Sequence, residues 1–221
     1  MGRVMGRAIA LVMLVVLTIG CATMPDGAYF PEPSQRTSQL ATTLHRAATA
    51  AGDDPGRYSF ALIKSRDISA FSGWEDATLY FSDGLAALPA AHVDALVARE
   101  VAHEVLGHAG QRRALSMGLT GTFMVLGFIV PGLSMADWVL NPLIVRAFTR
   151  DQVIAADLRS IEIIREMGHP EPRRTLAAAL EFVQAKNGAS PGGLLATVPP
   201  LDARLAAIGP LEPVVDLAQR K

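Results

Sequence analysis

The chain has 221 residues, of which 50% are hydrophobic and 19% are charged, with a net charge of −1. This length suits one domain, or two at most, and so high an apolar content argues against a disordered protein. The balanced charge argues against a nucleic-acid-binding protein, and a single cysteine excludes an internal disulfide and a cysteine-rich zinc site.

The N-terminus has the pattern of a secretory signal peptide over residues 1–20. Arg3 and Arg7 precede an uncharged apolar run over 8–19, which is shorter than the roughly 20 residues that a membrane span requires. A small residue then lies directly before the lone cysteine, and this junction resembles the lipobox of bacterial lipoproteins. The resemblance implies that Cys21 is the lipid-modified first residue of the mature protein, of the palmitate-bearing type. An uncleaved N-terminal anchor helix is the alternative.

The lipobox resemblance also implies a location in the bacterial cell envelope. Ala22 follows the cysteine where an aspartate would signal inner-membrane retention, so we expect the periplasmic face of the outer membrane. Residues 21–33 are rich in proline and glycine and predict a tether between lipid and domain. The folded domain is then expected over 34–221.

The tether is followed by a pattern that predicts an α+β fold, mostly helical. A first helix is expected over 34–51, because leucines and alanines recur at helical spacing before a Gly-Asp-Asp-Pro-Gly stop. Three short β-type runs bounded by turn residues predict a small antiparallel sheet, and Pro89 opens a longer helix. The β-type runs cover 58–63, 68–71 and 78–81, and later helices are expected over 150–167, 172–185 and 201–208.

A second hydrophobic block covers 114–145. Its first 23 residues, 114–136, carry no charge, which is long enough for a membrane span. Several glycines and Pro131 interrupt any simple helix there. A buried lid, a hairpin that dips into the membrane and a full span all remain open.

The histidines cluster in the stretch Arg-Glu-Val-Ala-His-Glu-Val-Leu-Gly-His over 99–108. His103 and His108 are five residues apart, which places them about 140° apart on a regular helix, so only a distorted helix could direct both at one metal ion. In a second register, 99–103 reads Arg-Glu-x-x-His. This is the zincin pattern His-Glu-x-x-His with arginine in place of the first histidine.

The surroundings resemble the zinc metallopeptidases of the HtpX and CAAX-prenyl-protease type, in particular their periplasmic lipoprotein members in outer-membrane quality control. The resemblance covers roughly 35–208, and its segments occur in the family's order. An edge-strand segment at 69–74 is followed by a strand ending in Gly-Leu at 79–85 and by the motif helix at 94–103. A second helix then carries a motif that ends in Ala-Asp, at 148–157. A Gly-x-Pro turn at 167–170 and a late Pro-Pro at 197–200, with Arg204, complete the series.

The resemblance assigns roles to three residues that match the family pattern. It implies that Glu100 stands at the general-base position, His103 at a zinc-ligand position, and Asp157 at the position of a carboxylate that supports the metal site. Three other positions depart from the pattern. Arg99 replaces the first zinc histidine, Ala155 replaces the third ligand, a glutamate, and Val198 replaces a late histidine.

These departures predict a catalytically degenerate zincin, because a catalytic zinc ion requires three protein ligands and a water molecule. No cofactor is therefore expected. We hypothesise that the Arg99 guanidinium balances the carboxylates of Glu100 and Asp157 electrostatically; the alternative is that it points to solvent beside Glu104.

Three functions follow. The first is a lipid-anchored pseudo-peptidase that binds or regulates, with the membrane, an extended peptide or an envelope protein as partner and no nucleic acid. The second is an active zinc metalloendopeptidase in envelope protein quality control, with replacement ligands such as His108, Glu104 or Asp157. The third is a structural membrane lipoprotein.

Overall fold

The computed structural model describes residues 25–73, 77–108, 110–111, 150–188 and 198–213. The predicted signal peptide, the lipidation site at Cys21 and the apolar segment 114–145 lie outside the described residues. Within the described ranges, no helix is both long and apolar enough to cross a membrane.

The described elements form a mostly helical α+β domain, as the sequence predicts. In chain order they are β1 (Ala28–Tyr29), α1 (Gln35–Ala51), a 3-10 turn (Pro55–Arg57), β2 (Ser59–Ile63), β3 (Ala70–Ser72), β4 (Thr78–Ser82), α2 (Asp83–Ala86), α3 (Ala90–Val105), α4 (Arg150–Glu166), α5 (Pro172–Asn187) and α6 (Leu201–Ile208).

The sheet has the strand order β1-β2-β4-β3 and is mixed rather than antiparallel. The two outer pairs, β1–β2 and β3–β4, are antiparallel, but the central pair β2–β4 is parallel, with Ser59 opposite Thr78. The expectation of an antiparallel sheet is therefore wrong for the central pair. The reason is that β4 lies between β2 and β3 in the sheet. It runs parallel to β2, and β3 pairs antiparallel with β4 on the side away from β2. β1 falls in the segment predicted to be a tether.

The first long helix begins and ends at local signals. The Ser34 hydroxyl accepts a hydrogen bond from the Thr37 amide, and the Thr37 hydroxyl accepts one from the Ser34 amide, which closes a capping box. Gly52 ends the helix with φ +77°, a left-handed conformation that glycine adopts without a steric penalty.

Helix α3 lies at the centre of the domain, in contact with α1, α4 and α5. Val93, Val97 and Val101 are fully buried, as the apolar pattern predicts. The polar side of α3 is buried as well, because a central helix has neighbours all around. Asp94, for example, accepts a hydrogen bond from Thr43 on α1 at 2.9 Å and lies 2.9 Å from the His169 ring after α4. The polar residues of the zincin-like motif are thus inside the protein.

Candidate functional site

The guanidinium of Arg99 lies between two buried carboxylates. Its Nη1 donates to Glu100 Oε1 at 2.9 Å, and its Nε donates to Asp157 Oδ1 at 3.0 Å. Glu100 and Asp157 are 2% and 0% exposed, whereas the Arg99 side chain is 16% exposed. Helix α3 supplies the arginine and the glutamate, and α4 supplies the aspartate. This is the arrangement that the charge-balance hypothesis predicted, and it excludes the alternative in which Arg99 points to solvent beside Glu104.

A second arginine completes the network from α6. Arg204 donates to Asp157 through Nε and Nη2, each at 2.7 Å, so that the two ions form a bidentate pair. Asp157 is therefore held between two guanidiniums. The sequence pattern pointed to Arg204 as the downstream arginine of the family, but it did not predict this contact.

The four groups form a neutral set of two cations and two anions. Burial alone would lower the pKa of Arg99, but the charges and hydrogen bonds of Glu100 and Asp157 outweigh burial, and its pKa is raised. Arg99 is therefore a permanent cation in this site. Buried carboxylates are costly unless paired, and this pairing offsets part of that cost.

The histidine pair has a geometry that the sequence argument did not foresee. Helix α3 ends at Val105, and Gly107 follows with φ +71°, so His108 lies beyond the helix. The chain turns back there, and His108 Nδ1 comes within 3.2 Å of His103 Nδ1, with both rings buried. A regular helix continuing through 108 would have placed the two rings about 140° apart. Gly107 was the available signal that it stops.

The two imidazoles share one hydrogen bond. Because both partners are Nδ1 atoms, one ring must carry a proton there and the other must not. Burial lowers the pKa of His108, which favours its neutral form. Glu104, also buried, lies one residue along α3 from His103.

The remaining predicted positions do not add a metal ligand. Ala155, in the second turn of α4, offers only a methyl group, and Val198 is 41% exposed shortly before α6. In the part of the chain that the structure describes, no group of three or more histidine, cysteine, aspartate or glutamate side chains is arranged to hold a metal ion.

The donor set of the described residues does not fit a catalytic zinc ion. A guanidinium has no lone pair to donate to a metal, and its charge would repel a dication from the carboxylates it already neutralises. Both oxygens of Asp157 already accept hydrogen bonds from arginine, whose charge balances that of the carboxylate.

The strand β3 lies at one side of the described sheet, against the motif helix. It contacts α3, and its Phe71 ring stacks on Tyr80 of β4 with centroids 5.4 Å apart. The side-chain amide of Asn187, at the end of α5, bonds both backbone groups of Ile68, just before the strand. These contacts hold β3 against the motif helix. Of the segment 69–74 that resembled the family's edge strand, Trp74 lies outside the described residues.

The chain matches the model of a known protein family. The model of peptidase family M48 matches residues 34–212, which is most of the chain and includes both motif helices and α6. No curated protein gives a significant match.

Proposed function

Since the chain belongs to peptidase family M48, we propose that it is a catalytically degenerate member that binds polypeptide in the cell envelope and does not cleave it. The position of Arg99 carries this proposal. The guanidinium lies 2.9 Å from Glu100 and 3.0 Å from Asp157, and it balances carboxylates that in an active member of the family would act beside a metal ion.

The ion pairs also remove the chemistry that Glu100 would perform. A general base must reach a water molecule that is acidic enough to lose its proton, and in zincins the metal makes that water acidic. Glu100 instead accepts a hydrogen bond from a permanent cation, and the motif has no second imidazole at the position of Arg99. The residues of the motif therefore hold the fold together and carry out no hydrolysis.

Binding is proposed to take place where β3, an outer strand of the described sheet, contacts the motif helix α3. An extended peptide bound beside a strand is held largely by main-chain hydrogen bonds, which require little sequence specificity. The contact of Asn187 with Ile68 fixes the start of this strand. Residues of α3 near Arg99 would then decide which peptides fit.

We propose that a lipid on Cys21 anchors the protein at the periplasmic face of the outer membrane. The signal-like segment before the lone cysteine supports this proposal. A Cys21→Ser chain is expected to appear in the soluble periplasmic fraction, and its retention in the membrane pellet would contradict lipid anchoring.

The test of degeneracy combines metal analysis with a cleavage assay on purified, tag-free protein. We expect far less than one zinc per chain and no casein cleavage. The matched variant is Arg99→His with Ala155→Glu, which restores two ligand side chains and is expected to raise the zinc content of the protein. Stoichiometric zinc that disappears in His103→Ala, together with cleavage that disappears in Glu100→Gln, would overturn the proposal.

One observation favours an active zinc peptidase as the second candidate. Two nitrogen ligands on a tetrahedral zinc ion at 2.0–2.1 Å lie about 3.3 Å apart, and the Nδ1 atoms of His103 and His108 are 3.2 Å apart. The pair could thus supply two replacement ligands. If the protein is an active zinc peptidase of this kind, His108→Ala should remove bound zinc. If it is a pseudo-peptidase, the unchanged chain and His108→Ala should both lack zinc.

A further inference from the structure

An aromatic pair at the outer edge of the sheet is exposed to solvent. Phe30 is 76% exposed, and the other exposed large hydrophobic side chains among the described residues are only 36–41% exposed. Tyr29, at 38%, lies directly before it. Two adjacent exposed aromatic rings form a small apolar patch, which makes this edge a candidate contact surface.

This pair belongs to an ordered part of the chain. Tyr29 pairs with Leu62 across the β1–β2 ladder, and its hydroxyl donates to the carboxylate of Asp83. Pro31 follows Phe30 and restricts the backbone. Phe30 is therefore presented outward from a fixed strand edge.

The position of β1 along the chain limits its distance from the predicted lipid anchor. Ala28 is seven residues after Cys21, which bounds their separation at about 25 Å even for a fully extended chain. If Cys21 carries a lipid, the β1 edge is held within that distance of the bilayer surface. This step rests on the anchoring part of the proposed function.

We propose that Tyr29 and Phe30 insert into the interfacial layer of the membrane that holds the lipid anchor. Aromatic rings with one polar end are favoured at the level of the lipid headgroups, and Tyr29 and Phe30 supply such a ring and a purely apolar one. Exposed charges near the edge are mixed in sign, with Lys64 and Arg66 against Asp26 and Asp67. The contact is therefore hydrophobic and does not require anionic lipid.

The proposal fixes the orientation of the candidate site. β1 and β3 are the opposite edges of the four-stranded sheet, about 14 Å apart at the usual strand spacing. With β1 against the bilayer, the β3 edge and the adjacent part of α3 face away from the membrane. An extended peptide would then reach the site from the aqueous compartment and not from within the lipid.

The experiment anchors the mature chain, 21–221, without relying on cellular lipidation. Cys21 is the only cysteine, so its thiol couples to a maleimide phospholipid in zwitterionic vesicles. Phe30→Trp is compared with Phe182→Trp, a matched change at an exposed phenylalanine on α5. Each is measured against the unchanged chain, whose two tryptophans give the background emission.

Vesicles with brominated acyl chains are expected to quench the extra emission of the Phe30→Trp chain by about half, since an interfacial aromatic lies within reach of the bromines. The extra emission of Phe182→Trp is expected to stay unchanged. Absence of quenching at position 30 would overturn the inference, and this is the result expected if a partner protein or a second copy covers the edge. Equal quenching at positions 30 and 182 would overturn it as well. The vesicle experiment does not depend on lipidation in cells, so a failure of cellular lipidation would be detected only by the Cys21→Ser fractionation.

Discussion

Replacement of Arg99 by methionine removes the cation between Glu100 and Asp157 while keeping a long side chain. Glu100 is 2% exposed and would lose its 2.9 Å ion pair, whereas Asp157 would keep the bidentate pair with Arg204. Removal of one partner from a buried ion pair costs about 3–5 kcal/mol. Because the Arg99 side chain is 16% exposed and Asp157 stays paired, we expect the lower end, about 3 kcal/mol.

Urea denaturation of the Arg99→Met chain measures this loss as a lower midpoint at an unchanged slope. In a chain of this size, about 3 kcal/mol corresponds to a fall in Tm of roughly 6–12 °C. Arg36→Met is the matched control, since Arg36 is an exposed arginine on α1, and its effect is expected within about 0.5 kcal/mol.

The double variant Arg99→Met with Glu100→Gln distinguishes charge from packing. If the cost of Arg99→Met arises from the buried charge of Glu100 that Arg99 no longer balances, neutralising that carboxylate should recover about 1–2 kcal/mol. The reasoning is refuted if Arg99→Met is as stable as the unchanged chain, or if the second substitution destabilises it further.

Three more outcomes follow from the structure. Excess EDTA is expected to leave the Tm unchanged, because the network is neutralised by arginine; a fall of several degrees in Tm would indicate a structural metal. The Glu212 carboxylate accepts hydrogen bonds from the amides of Arg173 at 2.9 Å and Arg174 at 3.0 Å and so caps α5, and Glu212→Gln is expected to cost about 1 kcal/mol at neutral pH. Burial would raise the pKa of Glu212, but these amide bonds outweigh burial and the pKa is lowered. The stabilisation by Glu212 is therefore present above the pKa of the unfolded state and is lost as the pH falls through the pKa of the folded state. A stability difference between Glu212→Gln and the unchanged chain that persists in acid would contradict this. Gly107→Ala, at φ +71° with nothing within 4 Å of the added Cβ, is expected to cost about 1 kcal/mol through backbone strain, and a thermal midpoint equal to that of the unchanged chain would contradict it.

Elements with local signals were predictable from the sequence. The helix α1 has a capping residue at Ser34 and a stop at Gly52, and both are visible in the residue types alone. The same holds for α6 after its two prolines. The parallel pairing of β2 with β4 was not predictable in this way, because strand order depends on long-range packing that short β-type runs do not encode.

The candidate site was likewise predictable only in part. The spacing of Arg99 and His103 on one helix, with the family resemblance, predicted that Arg99 would meet Glu100 and Asp157. The approach of His108 to His103 was missed, because a break of the helix at Gly107 changes the direction of the chain. The left-handed conformation of Gly107 thus allows the imidazoles of His103 and His108 to approach each other.

The most direct test of the account is a zinc titration of the apo-protein by calorimetry, with the Arg99→His, Ala155→Glu variant alongside. The account predicts no stoichiometric binding to the unchanged chain, because a guanidinium holds the charge that zinc would supply, and it predicts binding to the variant. One zinc bound per unchanged chain, lost on His103→Ala, would contradict it.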